Sequence, residues 1–89
     1  MRYRVEITRP ARKALRRIPS ADRARLVVAI DALIANPRPR GCLNVKGAPD
    51  GTYRIRVGLY RVVYVIQDAD LVIVVVRVAR RNEHTYRGL

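Results

Sequence analysis

The 89-residue sequence contains no tryptophan, no phenylalanine, one cysteine and one histidine. The lone cysteine, Cys42, cannot form an intrachain disulfide, so nothing in the sequence indicates an oxidising compartment. One histidine and one cysteine are too few for a metal cluster, and no two acidic residues have the spacing typical of metal-assisted hydrolysis. A Ser-His-Asp set and a phosphate-binding glycine loop are missing as well. We therefore expect a protein that uses neither a metal ion nor an organic cofactor.

Long apolar runs are also missing. Residues 1–6 alternate apolar and charged side chains and do not form the apolar centre of a signal peptide. The richest aliphatic stretch, Leu71 to Val78, is too short to span a bilayer and is typical of a central buried strand. We expect a cytoplasmic protein that does not interact with membranes.

Acidic residues are scarce. Seven Asp and Glu face 19 Lys and Arg, which gives a formal net charge of +12. Only Lys13 and Lys46 are lysines, and arginine is the residue whose planar fork binds phosphate in two-point contacts. Because hydrophobic residues make up 49% of the chain, this is a folded domain and not a disordered basic tail. The expected partner is a nucleic acid or a strongly acidic protein segment.

The first half of the chain predicts one strand and two helices. Residues 2–7 alternate as in a half-buried strand, and Thr8 can cap the helix that follows. Pro19 ends this helix, Ser20 is expected to cap the second, and Asn36-Pro37 ends it. Residues 37–51 are rich in proline and glycine and predict an ordered loop.

The second half predicts three consecutive strands, over residues 52–57, 60–67 and 71–78. Two helices joined by so short a connection must lay their apolar faces on a sheet. The predicted fold is therefore α+β, a single domain over residues 1–89. Its element order is β-α-α-β-β-β, with a helical hairpin packed on one face of a small, mainly antiparallel sheet.

The turn at Gly58-Leu59 decides which side chains share a face of that sheet. A two-residue turn with glycine first pairs Arg56 with Arg61 and places Arg54 beside them. Apolar neighbours of these arginines then line the opposite face, under the helices. Like charges directly opposite each other are destabilising, so three arginines on one face suggest an anion site. An ordinary solvated face of a basic protein would show the same pattern, and the sequence does not decide between the two.

An arginine-rich open face suits the cleavage of a phosphodiester without a metal. When a ribose 2′-hydroxyl attacks the adjacent phosphorus, charge grows on the phosphoryl oxygens, and fixed guanidinium groups stabilise it. The segment after the last strand adds further candidates: Arg80, Arg81, His84 and Tyr86. Binding alone would use the same arginines, so composition does not separate a ribonuclease from an RNA-binding module.

Three strings of the sequence resemble the RelE branch of the RelE/ParE toxins, the toxic halves of type II toxin–antitoxin pairs. The first runs from Val45-Lys46-Gly47 through Tyr53-Arg54-Ile55-Arg56, the second is Tyr60-Arg61-Val62-Val63-Tyr64, and the third runs from Arg77 to Arg81. The resemblance implies the RelE fold, which is similar to that of microbial ribonucleases. It also implies an endoribonuclease, or mRNA interferase, that cuts messenger RNA in the ribosomal A site.

The resemblance also implies roles for single residues. Lys46, Arg54 and Arg56, with Arg80, fall on positions that contact the RNA backbone. Arg61 falls on the arginine that binds the scissile phosphate, and Arg81 on the one that stabilises transition-state charge, although Arg80 lies next to it. Tyr86 matches a tyrosine proposed as general base or base-stacking group. His84 is either the acid that protonates the leaving 5′-oxygen or an exposed side chain without a role.

The partners implied by the resemblance are a cognate antitoxin protein, messenger RNA and the ribosome with its rRNA. Two other functions remain open from the sequence. One is inhibition of DNA gyrase, as in the ParE-like branch, and the other is RNA binding without catalysis.

Overall fold

The computed structural model describes residues 2–81. They form a five-stranded sheet with two α-helices. The strands are β1 (Arg4–Ile7), β2 (Leu43–Asn44), β3 (Thr52–Val57), β4 (Tyr60–Gln67) and β5 (Val72–Arg80), and the helices are α1 (Arg9–Arg17) and α2 (Ser20–Ala32). The spatial order of the strands is β1-β5-β4-β3-β2, with β1 parallel to β5 and the other pairs antiparallel. The predicted α+β fold with a helical hairpin on a mainly antiparallel sheet is confirmed.

The two helices begin differently. The Thr8 side chain caps α1 by accepting a hydrogen bond from the backbone N–H of Ala11, as predicted. The prediction that Ser20 caps α2 is wrong, because Pro19 is the cap residue and Ser20 already belongs to the helix. No side chain caps α2, and Asp22 in its first turn provides the negative charge that favours a helix N-terminus.

The core lies between the helices and one face of the sheet. It contains the inward residues of α1 and α2 together with alternate residues of β3, β4 and β5: Ala11, Leu15, Ile18, Leu26, Ile30, Leu33, Ile55, Tyr60, Val62, Tyr64, Ile66, Ile73, Val75 and Val78. Val27 of α2 lies outside this core and is 45% exposed. Neither α1 nor α2, the α-helices of residues 2–81, is long and apolar enough to cross a membrane.

Two features of the sheet differ from the prediction. The loop between α2 and β3 contains the short edge strand β2, whose residues Leu43 and Asn44 pair with Arg54 and Tyr53. The last strand continues to Arg80 and carries a bulge, because Val63 pairs with Arg77 while Tyr64 pairs with Val75. The extra residue, Val76, shifts the alternation of β5 and turns Arg77 to the same face as Val63.

Gly51 connects the loop to the sheet at a place where only glycine fits. Its φ is +86°, and a Cβ on it would lie 2.8 Å from the backbone oxygen of Ile66. The same two residues are joined by a hydrogen bond of 2.8 Å from the Ile66 N–H to the Gly51 carbonyl. The close approach thus anchors the start of β3 to the end of β4.

We expect Gly51→Ala to destabilise the fold more than Gly47→Ala. Both positions have positive φ, but nothing lies within 4 Å of a Cβ on Gly47. Gly47→Ala should therefore lower the free energy of unfolding by about 1 kcal/mol, the cost of backbone strain alone. Gly51→Ala should lower it by a further ~1–3 kcal/mol, because the backbone of Ile66 must move. Equal losses in urea unfolding would contradict the close approach.

Candidate nucleic-acid interface

The face of the sheet turned away from the helices carries the three predicted arginines. The β3–β4 register pairs Arg56 with Arg61 and Arg54 with Val63. Gly58 has a φ of +59°, which fits the glycine-first turn that the sequence predicts. The predicted grouping of Arg54, Arg56 and Arg61 on one face is therefore confirmed. We call these three residues the arginine floor.

The arginine floor lies in a shallow cleft of about 380 Å³. Its lining also includes Arg40, Gly41 and Leu43 from the loop and β2. A second hollow of about 100 Å³ shares Arg54 and Arg61 with the first and extends to Val45, Val63, Arg77, Ala79 and Arg80. Within residues 2–81, no carboxylate side chain lines either hollow. The two hollows together form one basic depression.

Arg61 lies at the electrostatic centre of this depression. Partial burial lowers the pKa of its guanidinium, and the positive charges of Arg54, Arg81 and Arg56 lower it further. The side chain stays protonated, since arginine titrates far above neutral pH. Repulsion among charges held this closely is relieved when an anion enters the cleft.

Arg81 follows the end of β5 and lies near Arg61. Its backbone N–H donates to the carbonyl of Leu59 over 2.7 Å, and its Nη1 donates to the carbonyl of Gly58 over 3.4 Å. The Nε atom is buried and has no hydrogen-bond partner within residues 2–81. The turn between β3 and β4 therefore holds this guanidinium beside Arg61.

The other predicted site residues lie further out or outside the described residues. Arg80 pairs with Tyr60, a residue of the helix-covered face, but it lines a hollow on each side of the strand end. Lys46 is exposed in the loop, next to Val45 of the second hollow. His84 and Tyr86 fall outside residues 2–81.

Two arginines of the depression were missed by the sequence predictions. Arg77 belongs to the depression because the bulge at Val76 turns it toward Val63. Strand alternation could have placed it there only if the bulge had been known. Arg40 comes from a proline-rich loop, where no periodic signal assigns a direction to a side chain.

A network of polar and aromatic contacts holds that loop against the sheet. The guanidinium of Arg38 makes a two-point contact with Asp68, with Nη2···Oδ2 at 2.8 Å and Nη1···Oδ1 at 3.4 Å. The Tyr3 hydroxyl donates to the same carboxylate over 2.6 Å. Arg38 also lies over the ring of Tyr53, 5.3 Å from its centroid.

The network continues inward through two stacked tyrosines. The rings of Tyr53 and Tyr64 are 6.3 Å apart, and the hydroxyl of buried Tyr64 donates to the carbonyl of Pro37 over 2.8 Å. Burial raises the pKa of Tyr64, so its hydroxyl remains a donor at neutral pH. Since Arg40 follows Arg38 by two residues, these contacts also fix the rim of the cleft.

Comparison with known proteins assigns the family. The sequence model of one protein family, the ParE toxin of the type II toxin–antitoxin system parDE, matches residues 5–85. The chain belongs to the RelE/ParE family of toxins. The toxin is 31% identical over 84 residues to RelE1 of Methanocaldococcus jannaschii, an alignment that covers 92% of this chain and 93% of that protein.

Solved structures of RelE toxins share the shape of this toxin. RelE in the RelE–RelB complex of Pyrococcus horikoshii OT3 has a TM-score of 0.82 and 34% identity, covering 93% of this chain and 99% of that one. For the RelBE2 toxin–antitoxin complex of Mycobacterium tuberculosis the TM-score is 0.79 and the identity 30%, and the match covers 91% of this chain and 100% of that one. For free Escherichia coli RelE with two arginines replaced by alanine, the TM-score is 0.77 and the identity 27%, and the match covers 92% of this chain and 86% of that one. The protein is thus a RelE-like toxin of a toxin–antitoxin system.

The residues of the toxin that could hold a metal ion are few. Within residues 2–81, no three His, Cys, Asp or Glu side chains come close enough together to share one. Cys42 is a free, half-buried thiol beside the Tyr64 hydroxyl. Among the described residues, the charged side chains that line the depression are all arginines.

We expect Asp68→Asn to lower the melting temperature of the toxin at pH 7. The hydrogen bonds from Arg38 and then Tyr3 lower the pKa of Asp68 below its ordinary value of 3.8. A carboxyl group with a lowered folded-state pKa stabilises the fold above its unfolded pKa and loses this effect as pH falls through the folded value. The difference between wild type and variant should thus close on acidification below about pH 4.

The matched control is Asp70→Asn in the 3₁₀ turn Asp68–Asp70, which contains both residues and joins β4 to β5. Asp70 forms no ion pair within residues 2–81. Its substitution should leave the melting temperature at pH 7 nearly unchanged. If the melting temperatures of the wild type and Asp68→Asn still differed at pH 2, this would contradict the role given to the Asp68 carboxylate.

Proposed function

We propose that this RelE-like toxin is an endoribonuclease that cleaves messenger RNA on the ribosome, in the cytoplasm. The observation that carries the proposal is the convergence of Arg54, Arg56 and Arg61 on one cleft of the uncovered sheet face, with Arg81 near enough to lower the pKa of Arg61. A cleft of this size and charge fits a phosphodiester and its neighbours better than an apolar ligand. The resemblance of the chain to RelE toxins supports the same conclusion.

The proposed reaction is an internal transfer at phosphorus. The ribose 2′-oxygen attacks the adjacent phosphorus and forms a new P–O bond while the bond to the 5′-oxygen breaks. The products are a 2′,3′-cyclic phosphate and a 5′-hydroxyl end. One proton leaves the 2′-hydroxyl and one reaches the 5′-oxygen, so no metal ion or cofactor is needed for the balance.

The arginines have separate tasks in this proposal. Arg61 and Arg81 stabilise the charge that develops on the non-bridging oxygens of the scissile phosphate. Both residues are positioned beforehand, Arg61 by the pairing of its strand and Arg81 by its hydrogen bonds to the turn at Gly58-Leu59, so little reorganisation is required. Arg54 and Arg56 bind the flanking phosphates, with Lys46 further along the loop and Arg80 at the end of the sheet. Arg40 and Arg77 extend this basic track.

His84 and Tyr86 complete the proposed set as proton carriers. Tyr86 would accept the proton of the 2′-hydroxyl or stack on a base, and His84 would protonate the 5′-oxygen. Their support is the resemblance of the sequence to RelE toxins.

A cognate antitoxin is the proposed protein partner. RelE toxins of P. horikoshii and M. tuberculosis have been solved in complexes with their antitoxins. In this toxin, a groove of about 370 Å³ between the end of α1 and the sheet combines apolar Ile18 and Val78 with basic Arg17 and Arg80. An antitoxin segment with apolar anchors and acidic neighbours matches both features and would cancel part of the net charge.

We expect Arg61→Ala to lower the rate of messenger RNA cleavage by about 10²–10³-fold, equivalent to roughly 3–4 kcal/mol of transition-state stabilisation. Arg61→Lys should recover only part of the rate, because an ammonium lacks the planar fork. The measurement is single-turnover cleavage on translating ribosomes. Arg25→Ala on α2, whose side chain pairs with Asp22, is the control and should cleave normally.

The same assay separates the other functions of the family. Full cleavage by Arg61→Ala, with its melting temperature unchanged, would contradict the catalytic role. Absence of cleavage by the wild type, together with inhibition of DNA gyrase supercoiling, would replace the proposal by a ParE-like activity. Gyrase inhibition is the alternative activity because the chain matches the ParE family model.

We also expect the arginine floor to bind RNA with a steep salt dependence. Removing one arginine that binds a phosphate should reduce the slope of log affinity against log salt by about 0.7 for a single strand. Arg54→Gln combined with Arg56→Gln should thus flatten the slope by about 1.4. The probe is a 2′-O-methyl single strand, which lacks the attacking hydroxyl. Arg2→Gln combined with Arg25→Gln removes the same charge elsewhere, and an equal flattening there would contradict a localised site.

A further inference from the structure

A second basic surface lies on α1, away from the cleft. Arg9, Arg12, Lys13 and Arg16 follow one another at helical spacings of three, one and three residues. At 100° per residue they occupy one face of the helix, opposite the buried face of Ala11 and Leu15. All four are exposed, and together with Ile7 they line a groove of about 560 Å³. We call these four residues the α1 basic face.

The positive charge of this face is not balanced by the described part of the chain. The salt bridges within residues 2–81 are Arg4–Glu6, Arg25–Asp22 and Arg38–Asp68, and none includes a residue of α1. The first turn of α1 has no acidic residue, although a helix N-terminus favours negative charge. Repulsion among the four charges, and between Arg9 and the positive end of the helix dipole, is thus left for an external anion to relieve, whereas the dipole favours Arg16 in the last turn.

The α1 basic face and the arginine floor cannot serve one short stretch of RNA. The helices cover one face of the sheet, and the arginine floor lies on the other. The groove of the α1 basic face includes Ile7 of the edge strand β1, and β5 lies between that strand and β4, which carries Arg61. Whatever binds to α1 is a different segment from the strand in the cleft.

The chemistry of the groove favours a phosphate backbone over a protein segment. Ile7 is the one apolar residue among the described residues that line it, so a helix or strand of a partner would find little to bury. No aromatic side chain is present among those lining residues on which unpaired bases could stack. Arg9 to Arg16 spans about 10 Å along the helix, roughly the axial rise of three phosphates on one strand.

We propose that the α1 basic face binds the phosphate backbone of double-stranded RNA. Recognition is by charge and spacing and is independent of base sequence, because duplex RNA is contacted mainly through its backbone and 2′-hydroxyls. The surface adds a second attachment point that holds the toxin on structured RNA while the cleft engages a single strand. Engagement of a single strand by the cleft rests on the proposed ribonuclease function, whereas duplex binding by α1 does not.

The test removes charge from the α1 basic face while keeping the hydrogen bond that Arg12 makes. Arg12 donates from Nη2 to the carbonyl of Ile7 and is therefore left in place. The variant is Arg9→Gln, Lys13→Gln and Arg16→Gln together. Its control, Arg2→Gln with Arg4→Gln and Arg25→Gln, removes the same total charge, and two of its three arginines are already paired with carboxylates.

Both variants are titrated with a blunt 16-base-pair duplex and with a single strand, each fully 2′-O-methylated so that neither can be cut. The α1 variant should bind the duplex more weakly, and the slope of its log affinity against log salt should be smaller by about 2.7, at about 0.9 for each of three phosphates. Its affinity for the single strand should stay within about twofold of that of the wild type. Unchanged duplex affinity, or an equal loss in the control, would overturn the proposal. The proposal would also be overturned if the α1 variant bound an acidic helical peptide more weakly than the wild type while its duplex affinity stayed the same.

The outcome is independent of catalysis. Messenger RNA cleavage by Arg61→Ala tests the cleft, and duplex binding by the α1 variant tests the helix. If cleavage fails but duplex binding behaves as expected, the proposal for α1 stands without the ribonuclease. Thermal melting of the α1 variant must match that of the wild type, since its three positions are exposed.

Discussion

The pairing of β3 with β4 is the constraint on which the rest of the structure depends. A shift of one residue would move every side chain of these strands to the opposite face. Arg56 and Arg61 would then lie under the helices, where unpaired charge is very costly, and the tyrosines of β4 would be exposed. Gly58 prevents the shift by adopting a positive φ that fixes the length of the turn. Core and cleft are therefore two consequences of one register.

The same register places like charges opposite each other on one face of the sheet and apolar pairs on the other. Arg56 and Arg61 are cross-strand partners, an arrangement that destabilises a sheet in isolation. On the other face the pairs Tyr53–Tyr64 and Ile55–Val62 contribute stacking and burial that offset this repulsion. The Arg38–Asp68 contact and the close approach of Gly51 to Ile66 then fix the loop that borders the cleft. The site is held in place by groups that would not themselves contact RNA.

Local signals in the sequence were enough to predict the parts of the fold that local geometry determines. The alternation in β3 and β4 and the glycine of their turn predicted the arginine floor, and Thr8 predicted the start of α1. The bulge at Val76 has no local signal, so Arg77 was missed. Strand β2 and the direction of Arg40 depend on a loop held by Arg38, whose partner Asp68 is distant in sequence. Ser20 resembles a cap, but Pro19, with its fixed φ, takes that position.

The sheet order has a consequence for the synthesis of the protein. Of the described strands, β1 is made first, yet it pairs only with β5, which is made after the other four and lies in the interior of the sheet. Contacts between segments so distant in sequence form late, because the intervening chain must first be ordered. A nascent chain that stops before β5 lacks the strand that joins β1 to β4, and it also lacks Arg81. The basic depression therefore cannot be complete until β5, which contributes Arg77 and Arg80 to it, has been synthesised.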